Sequence, residues 1–260
     1  MAACPPSPSF VTLNDLELTG RTRTHLDQHE VPRFAAHPAA AAAFLAMRDA
    51  ARDAGIDLVP VSVFRDFAAQ MKIWNDKFEG RRPLYDCHGR QCDPAALDED
   101  GIIAAILAWS ALPGASRHHW GTEFDVIDAA AVPENYRIDL LPHEFGEGGP
   151  FHALHGWLDA HMSDYGFFRP YARAQGGVSP EPWHLSYAPV ADCALKYLTP
   201  ELLASVLADA PILGKARLLE TLPSIYTTYV LNIAAPDPQA LLHRPPEQTR
   251  QERPPYRPTE

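Results

Sequence analysis

The chain predicts an α+β fold, a small and mainly antiparallel sheet with flanking helices. Three observations point there. Amphipathic helical periodicities recur along the sequence, a few short apolar strands fall between them, and long loops separate the two, with no internal repeat. Residues 38–53 are alanine-rich, with Phe44, Leu45 and Met47 among the apolar positions and Gly55 placed to end a helix. Residues 56–64 are apolar and β-branched, which suits a largely buried strand. Phe67, Met71, Trp74 and Phe78 then recur at helical spacing, so Arg65 stands where a strand hands over to a helix.

Residues 81–94 carry turn formers and little periodicity, and 102–112 predict a helix stopped by Pro113 and Gly114. Residues 122–128 predict a strand and 133–150 a long surface loop. Leu154, Trp157, Leu158, His161, Met162 and Tyr165 give a further helix ending at Gly166, and 183–187 a short strand. Beyond Tyr197 the pattern is helical to about Ile233. The expected organisation is one domain over 1–235, including this helical extension, and a disordered tail rich in proline and charge over 236–260.

With 260 residues, 46% of them hydrophobic, the chain can bury a substantial core. Its net charge of −11 argues against a nucleic-acid partner, which would call for clustered Lys and Arg. No apolar run approaches the roughly 20 residues that cross a membrane. No signal peptide is visible in residues 1–10, so the cytoplasm is the default expectation, with a periplasmic or extracellular location open. Cys4, Cys87, Cys92 and Cys193 are too scattered for a disulfide scaffold. Cys87 and Cys92 are free thiols, a disulfide pair, or partners of His88 in a minor metal site.

Two segments carry the chemistry. In Ser116-Arg117-His118-His119-Trp120-Gly121-Thr122-Glu123-Phe124-Asp125 an imidazole precedes a glycine turn and a carboxylate lies in the strand after it, an order that can fold two ligands toward one point. Glu181-Pro182-Trp183-His184 adds a second imidazole, with a carboxylate three residues earlier that is free to act on water. Two histidines, one ligating carboxylate and one free carboxylate match a catalytic zinc site, in which three protein ligands leave a position for water. One histidine among the 12 would signify little, and His152-x-x-His155 has no carboxylate at motif spacing and reads as structural. His-Glu-x-x-His, Gly-x-Ser-x-Gly and phosphate-loop signatures are absent.

The pattern Ser-x-His-x-x-Gly-x-x-x-Asp followed by Glu-x-Trp-His resembles the D-alanyl-D-alanine metallopeptidases, the VanY-type carboxypeptidases and VanX-type dipeptidases, which share a zinc fold with lysostaphin-type endopeptidases and hedgehog domains. Ser62-Val63-Phe64-Arg65-Asp66-Phe67-Ala68-Ala69-Gln70 is similar to a third motif of that family, and the three occur in the family's order over 62–184. The resemblance implies one Zn2+ per chain held by His118, Asp125 and His184, Glu181 as general base and Arg65 as oxyanion stabiliser or carboxylate clamp. It further implies substrate contacts from Ser116 and Gln70, while Trp183 is either a core aromatic or a wall of the substrate site. Peptidoglycan stem peptides are the implied substrate and a carboxypeptidase the leading activity, beside a D,D-dipeptidase, an endopeptidase or a non-catalytic zinc module. Glu181 argues against the last of these. Two positions depart from the pattern: Val63 stands for a glycine, and Glu123 for a small or apolar residue. Glu123 shares a strand face with Asp125 and needs a partner, which could be Arg117, a hydrogen-bonded shell around the zinc, or a cationic group on the substrate.

Overall fold

A computed structural model describes residues 12–245. Its helices are α1 (Asp15–Leu18), α2 (Pro38–Asp53), α3 (Phe67–Phe78), α4 (Glu99–Leu107), α5 (Pro142–Phe145), α6 (His152–His161), α7 (Ala188–Tyr197), α8 (Pro200–Asp209), α9 (Lys215–Ile225) and α10 (Pro238–Leu242). Its strands are β1 (Asp27–Glu30), β2 (Arg33–Ala36), β3 (Leu58–Ser62), β4 (Leu84–Tyr85), β5 (Gln91–Cys92), β6 (Glu123–Asp128), β7 (Phe167–Phe168) and β8 (His184–Tyr187). The central sheet has four antiparallel strands in the order β3-β6-β8-β7, and β1-β2 and β4-β5 form separate hairpins.

The sheet's position follows from how β6 divides its side chains. Phe124 and Val126 join the core under α2, where Phe124 stacks on Phe44 with ring centroids 4.4 Å apart. Glu123 and Asp125 alternate with them and project to the opposite side. There Asp125 lies between Ser62 of β3 and His184 of β8 in the strand register, and Glu123 lies opposite Ser186. Ala40, Ala43, Phe44, Met47 and Ala51 form the buried stripe of α2, and Pro38 opens that helix at a position where its missing N–H costs nothing. A second core gathers Trp74 of α3 with residues of α4, α7, α8 and α9.

Several boundaries differ from the sequence expectation for local reasons. The strand expected over 56–64 is confined to Leu58–Ser62, and its register slips between Pro60 and Ser62. The helix expected over 102–112 begins at Glu99, capped by the Asp98 carboxylate, and ends at Leu107, which releases Ser110 and Ala111 to line a cleft. Residues 81–94 fold back as the β4-β5 hairpin, and the loop over 133–150 contains α5. The β1-β2 hairpin, β7 and α7 have no counterpart in the sequence expectation. Pro189 stands in the first turn of α7, where proline is tolerated.

The tail expected from 236 does not start there. Pro238–Leu242 is helical, Ala240 is fully buried with Phe168 and Ala188, and only residues 246–260 of that tail fall outside the described residues, as do residues 1–11 with Cys4. Cys87, Cys92 and Cys193 are free thiols. Among the described residues no helix is long and apolar enough to cross a membrane.

Candidate metal centre and substrate cleft

Three elements bring the donor residues together. The 3-10 turn Arg117–Trp120 carries His118, β6 carries Asp125 and β8 carries His184. Gly121 closes the turn at φ +66°, and a Cβ on it would stand 2.3 Å from Leu26 Cδ2 and 2.9 Å from the His37 backbone nitrogen. The turn therefore needs glycine both for its left-handed backbone and for the close approach of the neighbouring chain.

One donor atom from each of His118, Asp125 and His184 lies within 4.8 Å of the other two, and all three residues are buried. The two rings are held by their far nitrogens. His118 Nδ1–H donates to the Val63 carbonyl at 2.5 Å, which leaves Nε2 facing Asp125 Oδ2 at 3.3 Å. His184 is held the other way round. Its Nε2–H donates to Glu123 Oε2 at 2.8 Å, and its Nδ1 faces Asp125 Oδ1 at 3.0 Å and Glu181 Oε2 at 3.5 Å. Each hydrogen bond at the rear orients its ring, so His118 Nε2, His184 Nδ1 and the Asp125 carboxylate converge.

The electrostatics favour a cation at the point of convergence. Burial alone would push the His184 imidazole down, but hydrogen bonds to Asp125 and Glu123 outweigh it and raise the ring to about 10. Burial would raise Asp125 too, yet the flanking His118 and His184 hold it well below the usual carboxylate range. Glu181 differs from Asp125. Burial lifts its carboxyl to about 7, with His184, Arg65 and Lys77 drawing it partly back. It touches the edge of the donor cluster without belonging to it.

The donor cluster opens into a cleft of about 390 Å³ that Arg65, Ser116, Glu181 and Trp183 also line. Arg65 Nη1 donates to Gln70 Oε1 at 2.8 Å and Nη2 to Ser62 Oγ at 3.2 Å, which aims the guanidinium from its strand-to-helix junction. Trp183 packs its ring against Phe145, with centroids 5.8 Å apart.

Two expected substrate contacts lie elsewhere. Gln70 is fully buried, outside the cleft lining, and its two ends are occupied by Arg65 and by the Ala111 carbonyl at 2.7 Å. It positions Arg65 because a buried amide must satisfy both ends. Glu123 is also fully buried. It accepts from Arg117 Nε at 3.3 Å, Thr122 Oγ1 at 2.9 Å, Ser186 Oγ at 2.8 Å and His184, so it lies beneath the donor cluster with its acceptor capacity used. Burial would raise its carboxyl, but Arg117 and His184 pull it down to about 2, and it stays ionised.

Sequence reasoning missed four contributors. Lys77 and Tyr171 line the cleft, the Val63 carbonyl orients His118, and His119 supports Arg65 from below. His119 Nδ1–H donates to the Arg65 carbonyl at 2.6 Å, while Nε2 accepts from Gly114 N at 3.2 Å. Only His119 left a signal in the sequence, as the second imidazole of the His118-His119 pair.

Two imidazoles and a carboxylate that could hold a metal ion thus converge beside a glutamate outside the donor cluster, an arrangement suited to an open, hydrolytic centre. Residues 33–190, more than half of the chain, match the family model described as VanY: D-alanyl-D-alanine carboxypeptidase, and the chain belongs to that family. This makes it a carboxypeptidase-like metallopeptidase of the D-alanyl-D-alanine class. An uncharacterised protein of Haemophilus influenzae is 35% identical over 122 residues, covering 46% of this chain and 93% of that protein. Among solved structures, VanYB in complex with D-alanine-D-alanine is 22% identical with a TM-score of 0.44, covering 71% of this chain and 89% of that one. A point mutant of the vancomycin resistance D,D-pentapeptidase VanY, in complex with Zn(II), is 23% identical with a TM-score of 0.45, covering 66% of this chain and 83% of that one. Family membership rests on the match over 33–190 and not on these structural likenesses.

Proposed function

We propose that the chain is a zinc-dependent carboxypeptidase that removes the terminal D-amino acid from peptidoglycan stem peptides, with one zinc ion per chain held by His118, Asp125 and His184. The observation that carries this reading is the shared orientation of the three donors toward the cleft that Arg65 and Glu181 line. The donor set suits zinc, because two neutral imidazoles and one carboxylate leave a coordination position open. When bound, the ion supplies Lewis-acid polarisation of the peptide carbonyl and acidifies a water molecule.

The protein's own groups do the rest. Glu181, with its carboxyl near 7, takes a proton from the attacking water and returns it to the leaving amine. Arg65 meets the negative charge that develops on the carbonyl oxygen, already aimed by Gln70 and Ser62. Ser116 and Trp183 line the cleft where the peptide lies. Incubation with a stem pentapeptide, with and without chelator, and mass spectrometry of the products tests the reading. Release of one D-alanine that stops on chelation and resumes with zinc is the expected result. Release of a dipeptide, or cutting only of crosslinks, would move the chain to a different peptidase activity.

A further inference from the structure

Gln70, which the motif sets with Arg65 and Ser116 toward a free carboxylate, is buried and committed at both ends, so one of three expected partners of the terminal carboxylate is missing from the cleft. We propose that the Lys77 ammonium, steadied by Ser110, binds the C-terminal carboxylate of the peptide and so selects substrates with a free terminus. This rests on the peptidase reading above.

Lys77 and Ile73 are one turn apart on α3 and both line the cleft, with Arg65 just ahead of that helix's N-cap Asp66. Helical side chains lean toward the helix N-terminus, so the Lys77 ammonium leans toward Arg65 and the donor cluster. Its Nζ donates to Ser110 Oγ at 2.7 Å, leaving two of its three N–H donors free.

The charges nearby separate Lys77 from the other lysines and arginines of its helix end. Lys72 and Arg81 both bind Asp76, and Arg82 Nε lies 3.6 Å from the same carboxylate. Among the described residues, no carboxylate is in ion-pair contact with Lys77. An unpaired ammonium on a cleft wall, in a chain of net charge −11, is a place for an anion from outside. In the reading above Arg65 serves the reacting carbonyl, and Lys77, like Arg65, lies close enough to Glu181 to feel its charge without pairing with it. Burial pushes the Lys77 ammonium down to about 8, so it remains mostly charged at neutral pH while being poorly hydrated. Both properties strengthen a contact with a carboxylate.

The test uses full-length zinc-loaded protein carrying Glu181→Ala, so that ligand survives, and calorimetric titration with D-alanyl-D-alanine and its C-terminal amide. Lys77→Met should weaken binding of the free acid by about tenfold to a hundredfold, the range for a charge-assisted hydrogen bond, and leave the amide unchanged. Lys77→Arg should recover part of the loss, which a folding defect would not allow. Equal affinity of the Lys77→Met protein and its parent for the free acid overturns the inference, as does an equal loss on both ligands. Pentapeptide hydrolysis by the unmodified enzyme is a separate readout: its absence would sink the proposed function even where binding still depends on Lys77.

Discussion

Glu123 Oε2 lies 2.8 Å from His184 Nε2, on the side of the imidazole away from the cleft, and the same oxygen accepts from Arg117. A carboxylate bound behind a ligating histidine fixes the ring's tautomer and strengthens its free lone pair. Glu123→Gln should therefore lower zinc affinity by about tenfold to a hundredfold. KM should change equally for stem peptides whose diamino acid is free or acetylated. Competition against a chromophoric chelator reads the first effect, and an amine-dependent change in KM would return Glu123 to the substrate.

Glu123→Ala should do more damage, because Arg117 is only 4% exposed and would keep its charge without a counter-ion. Removing one partner of a buried pair costs about 3 to 5 kcal/mol, so urea unfolding should show a loss of that order. Changing both residues together, Glu123→Ala with Arg117→Met, should recover much of it.

Glu181 and the donor residues should separate in their effects. Glu181→Ala is expected to keep its zinc and lose about a hundredfold to ten-thousandfold in kcat, the range for a general base. His118→Ala and His184→Ala should lose metal and activity together. Metal content by mass spectrometry decides the matter, and a Glu181→Ala protein without zinc would make Glu181 a ligand.

Gln70 acts through Arg65, so Gln70→Ala should lower kcat while leaving KM for the terminal carboxylate nearly unchanged. Arg65→Lys should lower kcat further, since a single ammonium cannot keep the contacts to both Gln70 and Ser62 and still face the oxyanion. A Gln70→Ala effect confined to KM would show that the amide does reach the substrate.

Gly121→Ala is predicted to unfold the turn that presents His118. The substitution combines a left-handed backbone at φ +66° with contact to Leu26 and to the His37 backbone. A loss of at least about 2 kcal/mol, with zinc released at lower chelator concentration, is expected. An unchanged thermal midpoint would falsify the account of the turn.

Burial, reinforced by the nearby His25, holds His37 down to about 4 against an ordinary 6.5. The unfolded chain therefore takes up a proton between pH 6.5 and 4 that the folded chain resists, so stability is full above 6.5 and falls with pH through that window. His37→Asn keeps an acceptor for the Ala39 N–H at the start of α2 and removes the titration. Relative to pH 7, the wild type should lose about 2 kcal/mol more than this variant at about pH 5. Parallel pH profiles of urea midpoints for the two proteins would remove the assignment.

The sequence by itself determined the parts that depend on near neighbours along the chain. The stripes of α2 and α3 are written in periodicity, and the order of His118, Asp125, Glu181 and His184 is written in the motifs. The alternation of β6 places Glu123 and Asp125 on one side before any partner is known. Strand ends and the β4-β5 hairpin were less legible, because short elements carry few residues over which a period can show. What only the tertiary structure decided is which groups meet. Of the partners open to Glu123, the fold supplies Arg117 and His184 and not the substrate, because β8, 63 residues on at Ser186, sets that serine opposite it. Gln70 was drawn inward by the Ala111 carbonyl, 41 residues away, and Lys77 was aimed at the cleft by Ser110, 33 residues away. A buried polar group takes whichever partner the packing offers, and that partner's position is a property of the whole fold and not of the local sequence.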